Sequence, residues 1–198
     1  MPYCVVKRTV YHTVKYTSDK DRIIKEAPFY CREKTSGLKE WLGEGYYFWE
    51  TFEALAHWWG KVRYRSRNLH YVICSTDFEC EEDDMLDLVG NTEQMRDIQE
   101  IVDVMRKIPE YKATSFTAQF VVNFIRTKTP FDFKAVRAYG INCSSDKLIN
   151  QYQFPFSSKS YMHICPEIQI CVIDKSVLKL PVEITYCSAD YSYDSLTV

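Results

Sequence analysis

Four histidines and eight cysteines are the residues of this chain with the widest range of chemistry, and their spacing excludes several common sites. No two cysteines form a C-x-x-C pair, and none lies at zinc-finger spacing from a histidine, so a structural zinc site lacks its signature. The sequence has no H-E-x-x-H, no G-x-S-x-G and no P-loop, which argues against a zinc protease, a serine hydrolase and a P-loop NTPase. The histidines are His12, His57, His70 and His163.

Two early segments could contribute to a ligand pocket. His12 lies in a β-branched and aromatic stretch that predicts a strand, and on its own it fits an ordinary core or edge histidine. Gly43-x-Gly45 lacks the third glycine of a dinucleotide-binding loop, and it predicts a tight turn before the aromatic run Tyr46 to Trp49. Neither segment specifies a ligand by itself.

A pair of adjacent tryptophans follows on a segment with helical spacing. Phe52, Leu55 and Trp59 share one face of that helix, so Trp58 is expected to point to a different surface. Both tryptophans could be core residues. A flat indole at position 58 would also suit a pocket that stacks a planar ring.

Length and composition indicate a single globular domain, residues 1–198. The chain is 46% hydrophobic and 26% charged, without repeats or low-complexity segments. Its 25 Lys and Arg against 27 Asp and Glu argue against a dedicated binder of phosphate backbones, though not against a nucleic acid held locally as a substrate. No signal peptide and no run of about 18 apolar residues is visible, so we expect reduced cysteines, a cytoplasmic protein and no membrane partner.

The elements that must position these side chains are predicted to form an α+β fold, because strands lie at both ends of the chain and helices lie early and in the middle. An Asn-x-x-Gln start and regularly spaced apolar residues favour the helix over 91–108 most strongly. The acidic run 79–84 is expected to be a solvated turn rather than a metal site. The predicted strands are 3–14, 46–49, 69–75, 134–139, 167–173 and 182–186, and the predicted helices are 18–27, 51–62, 91–108 and 116–126.

Three segments in this order resemble the ADP-ribosyltransferase fold, and more narrowly its poly-ADP-ribose-polymerase-like branch with a His–Tyr–Glu triad. They are Tyr11-His12-Thr13, the stretch GEGYYFWETFEALAHWW and the late EIQICVID. The resemblance covers roughly the first 75 residues and about 20 near the C-terminus. It implies a split β-sheet core with helices on its faces, with a family-specific helical insertion around 90–160.

The resemblance also assigns candidate roles in binding NAD, the substrate of that family. His12 takes the triad histidine position and would bond the adenosine-side ribose, and Gly45 follows it by 33 residues in the glycine turn. Tyr47 and Trp58 would sandwich the nicotinamide ring. Ala56 falls on the small residue of the helix.

Two positions depart from the family pattern. Thr13 replaces the glycine whose backbone pairs with the nicotinamide carboxamide, and Gln169 replaces the catalytic glutamate. A carboxylate stabilises the positive charge that develops on the ribose, whereas an amide offers only a dipole. Gln169 would therefore still bind NAD but would lower the intrinsic rate of the transfer reaction. Glu167, two residues earlier in the predicted strand, is expected on the same face and could engage the acceptor or activate a nucleophile.

The resemblance, with these two departures, implies a mono-ADP-ribosyltransferase that moves ADP-ribose from NAD to a macromolecule, protein or nucleic acid, and releases nicotinamide. Toxin and phage-defence roles are common among small members of the family. The alternatives are NAD hydrolysis, NAD-dependent removal of a 2′-phosphate from RNA, and a non-catalytic module that binds NAD or a partner. An unrelated α+β domain would be favoured if His12 and Tyr47 lay on opposite sides of the sheet.

Overall fold

The computed structural model describes residues 4–32, 40–111, 116–140, 151–153 and 161–191. Within these ranges it contains four α-helices and nine β-strands, so the α+β class is confirmed. The helices are α1 (Lys20–Glu26), α2 (Glu53–Arg63), α3 (Thr92–Met105) and α4 (Ala118–Lys128). The strands are β1 (Val5–Lys15), β2 (Tyr46–Glu50), β3 (Tyr71–Glu81), β4 (Met85–Leu88), β5 (Ala135–Tyr139), β6 (Gln151–Gln153), β7 (Tyr161–His163), β8 (Ile168–Val172) and β9 (Glu183–Cys187).

Each predicted helix and strand is present, with one substantial change in the acidic run. Residues 79–81 continue β3 instead of leaving it, and only Glu82–Asp84 form a turn, a single turn of 3₁₀-helix. The charges are tolerated in the strand because Phe78 and Cys80 point into the core while their acidic neighbours face solvent. The expectation of a solvated turn over 79–84 is therefore wrong for its first half.

Seven strands form one mixed sheet in the order β4-β5-β8-β2-β1-β3-β9. Only β4 and β5 run parallel, and every other neighbouring pair is antiparallel. Strand β5 comes from the interval 90–160, so that interval contributes to the central sheet as well as supplying helices. Strands β6 and β7 pair separately.

The sheet is covered on both sides, which we name by their contents. The cleft side carries Tyr47, Trp49 and Gln169; α2 packs on it near β1 and β3, and α3 and α4 pack on it near β4, β5 and β8. The rear side carries Val10, Phe48 and Ile170, and it is covered by α1 and by the turn at 175–178. Helix α2 is amphipathic enough to do this because Leu55, Ala56 and Gly60 fall on one buried stripe.

Strands β1 and β2 pair at one end and separate at the other. Their register extends only over Val10↔Glu50 and Tyr11↔Trp49, continued by a hydrogen bond from Thr51 N–H to Thr9 O of 2.9 Å. Beyond Tyr11, β1 stays paired with β3 as far as Lys15, while Tyr46, Tyr47 and Phe48 stay paired with β8. The sheet therefore has a gap between His12–Lys15 and Tyr46–Phe48.

Both glycines of Gly43-x-Gly45 have a conformational or packing reason. Gly43 has φ of 96°, in the left-handed region that glycine accepts without strain. A Cβ on Gly45 would lie 2.6 Å from the Sγ of Cys171 and 2.7 Å from the carbonyl oxygen of Val172. The turn thus lets the chain enter β2 in close contact with β8.

No helix among the described residues has the length and apolar content needed to cross a bilayer. None of the seven cysteines in the described ranges is in a disulfide, and Cys143 lies outside those ranges.

Candidate functional site

We call the strip of sheet between α2 on one flank and α3 with α4 on the other the cleft. Its floor consists of partly exposed Tyr11, Tyr47 and Gln169 together with buried Trp49. Trp49 pairs with Tyr11 on β1 and with Gln169 on β8, so these three side chains leave the sheet on the same side. The gap between β1 and β2 opens along this floor.

His12 fills part of the gap from the rear side. Its ring lies 5.4 Å from that of Phe48, and its Nδ1 is 2.7 Å from the carbonyl oxygen of Tyr47. Since that oxygen can only accept, Nδ1 carries the proton, and Nε2 accepts a hydrogen bond of 3.2 Å from Phe29 N–H. Burial lowers the pKa of His12 to about 4, so the imidazole is neutral at physiological pH. A ribose hydroxyl could reach Nε2 only by competing with Phe29.

His12 and Tyr47 approach the gap from opposite sides of the sheet. His12 packs with Phe48, whereas Tyr47 is the neighbour of Phe48 in β2 and alternation places its ring on the other side. This is the arrangement that would favour an unrelated α+β domain. One ligand can contact both side chains only if it passes through the gap.

Thr13 presents a backbone edge to the gap. Because Thr9 bonds across to Thr51, alternation along an antiparallel strand directs the N–H and C=O of Tyr11 and then of Thr13 toward β2. At Thr13 the ladder with β2 has ended, so this donor and acceptor face the gap. The Thr13 hydroxyl does not, because it donates a hydrogen bond of 2.9 Å to the carbonyl oxygen of Ala56 in α2.

Tyr47 is held rigidly at the mouth of the glycine turn. Its hydroxyl donates a 2.7 Å hydrogen bond to the Gly43 carbonyl oxygen and accepts one of 3.0 Å from Leu42 N–H. Burial, reinforced by the Cys171 thiol, raises the pKa of Tyr47 far above its ordinary value, so the phenol stays protonated. Tyr47 can therefore offer a ligand its ring face, but it has no free role as an acid or a base.

Gln169 is oriented by a residue that the sequence patterns did not identify. The indole Nε1 of Trp41 lies 2.7 Å from Oε1 of Gln169. An indole N–H can only donate, which settles the amide orientation: the oxygen faces Trp41, and the NH₂ group is what Gln169 has to offer a ligand. A glutamate here would instead present a second acceptor oxygen.

Glu167 does not lie in β8. The strand begins at Ile168, and Ile168 N–H bonds to the Pro166 carbonyl oxygen at 2.8 Å, a three-residue turn centred on Glu167. Its register with β5 nevertheless continues one residue past Tyr139↔Ile168, so the expectation that it shares the face of Gln169 stays a prediction. Its carbonyl oxygen accepts from Gly140 N–H.

Trp58 is not turned away from Trp59 as the helical spacing predicted. Both indoles pack on the cluster of Trp49, Leu55 and Ala56, with their ring centroids 6.1 Å apart. Trp58 also meets Trp49 edge-to-face, at 6.3 Å and 88°. Trp49 thus occupies the space beside Trp58 on the floor of the cleft, and a planar ligand there must share that space with it.

Sequence reasoning missed Trp41 and Trp49. For Trp49 a signal existed, because it lies two residues after Tyr47 in a predicted strand and so shares its side of the sheet. For Trp41 no local signal exists, because its partner Gln169 lies 128 residues away.

Other concave regions of the surface lie outside the cleft. A cavity of about 340 Å³ lies between α3 and α4, lined by residues such as Val104, Met105 and Phe124, and a second of about 290 Å³ lies over β1 and β3 near Arg8. Among the described residues, no three His, Cys, Asp or Glu side chains are grouped so that they could hold a metal ion.

Comparison of the chain with protein-family models, with curated proteins and with solved structures gives no match in any of the three. The functional assignment therefore depends on the residues and geometry described above.

Proposed function

We propose that this protein is a mono-ADP-ribosyltransferase that binds NAD at the gap between β1 and β2 and transfers ADP-ribose to a macromolecular acceptor. The observation that carries the proposal is the gap itself. It leaves one N–H and one C=O of Thr13 without a partner on β2, and such a pair is the complement of a primary carboxamide such as that of nicotinamide. The ring of Tyr47 and the amide of Gln169 leave neighbouring strands beside it.

In the proposed reaction the bond between nicotinamide and ribose C1 breaks, and a bond from an acceptor nucleophile to C1 forms. Nicotinamide leaves with the bonding electrons, and the nucleophile loses its proton to solvent or to a base. Thr13 and Tyr47 would hold the nicotinamide, and His12 would reach the adenosine-side ribose from the rear of the gap. Glu167 remains a proposed contact of the acceptor.

Gln169 is the residue that limits the rate in this proposal. Positive charge grows on the ribose as the glycosidic bond opens, and a carboxylate would stabilise it. Because Trp41 engages the amide oxygen, Gln169 presents N–H donors to the ligand. These donors do not stabilise the positive charge on the ribose. The same observation supports a second candidate, a module that binds NAD or a partner without turnover.

The RNA 2′-phosphotransferase alternative needs several arginines around one phosphate. Arg137 is held on the rear side by Glu50 and Asp87, and Arg32 lies over the ring of Tyr30 at 5.9 Å. Arg63 is the last residue of α2, and Arg65 and Arg67 follow it in a single turn of 3₁₀-helix. None of these contacts places an arginine at the gap between β1 and β2, so none of them supports this alternative.

The test is to measure NAD binding by calorimetry and nicotinamide release by chromatography for the wild type, Gln169→Glu and Gln169→Ala. We expect slow release by the wild type and release faster by about tenfold or more in Gln169→Glu, because the new carboxylate stabilises the developing charge. Gln99→Glu, on the exposed face of α3, makes the same charge change away from the cleft and should leave the rate unaltered.

Each other result selects a different function. NAD binding without nicotinamide release, in the wild type and in Gln169→Glu alike, would establish the non-catalytic module. Free ADP-ribose without a labelled macromolecule would identify water as the acceptor and the protein as an NAD hydrolase. No binding of NAD would remove the proposal.

A further inference from the structure

The positive charge of this chain is segregated, although its overall charge is nearly balanced. Residues 54–76 contain four Lys or Arg and two His but no Asp or Glu, in a protein whose net charge is −2. The four cations are Lys61, Arg63, Arg65 and Arg67. Three of them, Lys61, Arg63 and Arg67, form no ion pair with any described residue, whereas nine Lys or Arg elsewhere in the described chain are paired with carboxylates.

Beside these cations lies a stack of aromatic rings that ends in solvent. Tyr186 on β9 stacks parallel to Tyr191, with centroids 5.3 Å apart and an interplanar angle of 10°. His57 of α2 meets the ring of Tyr186 edge-on at 4.4 Å. Tyr191 is 49% exposed, so it offers a ring supported from below by a second ring.

The cations and the aromatic stack form one surface. Lys61 lies one helical turn after His57, and its charge adds to burial in lowering the pKa of His57. Arg65 lies near Tyr186, because its charge opposes the rise that burial causes in the pKa of that tyrosine. We call His57, Lys61, Arg65, Tyr186 and Tyr191 the α2–β9 surface.

Two described acidic residues flank this surface. Glu53, one turn before His57, accepts a hydrogen bond from the Thr185 hydroxyl, and Asp190 is paired with Lys20 at 2.6 Å. With Asp190 offset by Lys20, the two cations of the surface outnumber the one remaining flanking carboxylate, Glu53, and the surface is flat at its aromatic end. Exposed aromatic rings flanked by Lys and Arg are the arrangement that binds single strands, since every base has a π-face and every nucleotide a phosphate.

We propose that the α2–β9 surface binds single-stranded nucleic acid, with a base stacked on Tyr191 and phosphates contacting Lys61 and Arg65. The stacked pair Tyr186–Tyr191 favours a nucleic acid over an acidic protein, which would need cations but not a flat ring. Helix α2 separates this surface from the cleft, and a helix with its side chains is about 10 Å across. A bound strand is thus within reach of the gap, and its role as the acceptor of ADP-ribose rests on the proposed function.

Binding itself can be tested without NAD, so its outcome is independent of the proposed function. The full chain is titrated into fluorescein-labelled single-stranded RNA and DNA oligonucleotides of about 20 nucleotides, with fluorescence anisotropy as the readout, at low and at physiological salt. We expect saturable binding that weakens as salt rises. We expect affinity weaker by about tenfold in Lys61→Gln/Arg65→Gln and in Tyr191→Ala.

Matched variants separate this surface from general charge effects. Lys25→Gln/Lys107→Gln removes the same charge from exposed positions on α1 and after α3, and Tyr191→Phe keeps the ring, so both should bind as the wild type does. Circular dichroism confirms that each variant is folded. The proposal is overturned by no saturable binding at low salt, by equal losses in the control variants, or by poly-glutamate competing as well as the oligonucleotide, which would indicate an acidic protein partner instead.

Discussion

The two ends of the β1–β2 pair use their polar groups in opposite ways. At the paired end, Glu50 is 4% exposed and receives two hydrogen bonds from Arg137, at 2.6 and 3.0 Å, and one from Arg8 at 3.0 Å, while Arg137 also binds both oxygens of Asp87 at 3.1 Å. Each of these charged side chains is paired with an opposite charge within the protein. At the open end, the Thr13 backbone has no partner on β2, and Trp41 engages only the oxygen of the Gln169 amide.

This difference separates stability from binding within one pair of strands. Buried charges that satisfy each other join four strands, β1, β2, β4 and β5, and leave nothing for a ligand. At the open end, part of the backbone hydrogen bonding between β1 and β2 is missing. The His12 side chain, in place of a backbone N–H, donates a hydrogen bond to the Tyr47 carbonyl oxygen. We therefore expect variants at the paired end to change the free energy of unfolding and variants at the open end to change ligand binding.

The largest effect is expected from Arg137→Met. It leaves Asp87 without its partner and Glu50 with only Arg8, whose side chain is 43% exposed. Removing one member of a buried ion pair costs about 3–5 kcal/mol, because the remaining charge is buried and uncompensated. Urea unfolding at pH 7 measures this loss.

Lys7→Met is the control for Arg137→Met. The Lys7–Glu79 pair lies on the surface, with both side chains more than half exposed, and such pairs add little to stability. If the two variants lost the same stability, the network at the paired end would have no special role.

The local elements of this fold were predictable because local sequence specifies them. Asn91 caps α3 by accepting hydrogen bonds from Glu93 N–H and Gln94 N–H, and the Asn-x-x-Gln start signalled that helix. The extension of β3 could also have been predicted, since residues 76–81 alternate between buried and exposed positions. The acidic composition of the run obscured that alternation.

The site was predictable only in part, because it depends on strand pairing. Which side of the sheet His12 and Tyr47 occupy follows from the register of β1 with β2, and local sequence does not encode where that ladder ends. The bond between Trp41 and Gln169 joins segments that become neighbours only after β8 inserts between β5 and β2. The NAD-binding roles of these residues stay predictions.

A second prediction concerns His12 and pH. The pKa of His12 is about 4 in the folded protein against 6.5 for an ordinary histidine, so the unfolded chain binds the proton more readily. The stability due to neutral His12 is fully present above about pH 6.5 and is lost as pH falls toward 4. That shift corresponds to about 3 kcal/mol.

Urea unfolding of the wild type and His12→Gln between pH 7.5 and pH 4.5 tests this, with the variant expected to depend less on pH. His57→Gln is the matched control. Burial also lowers the pKa of His57, but that ring is only half-buried, so its removal should flatten the pH profile less. Equal slopes for the wild type and His12→Gln would show that folding does not lower the pKa of His12.

The smallest effect, and the one most specific to the open end, is expected from Trp41→Phe. The ring is kept and only the N–H that fixes Oε1 of Gln169 is lost, so stability should change little while the amide becomes free to rotate. NAD affinity should fall by a few fold, the value of one hydrogen bond. Trp59→Phe, which removes an indole N–H elsewhere in the cleft, should not change the affinity for NAD.

A direct readout of the bond is hydrogen exchange of the Trp41 indole N–H, measured by NMR. Slow exchange in the wild type and fast exchange in Gln169→Ala would establish the bond. Identical rates would show that Gln169 is not held by Trp41 and can offer its oxygen to the ligand.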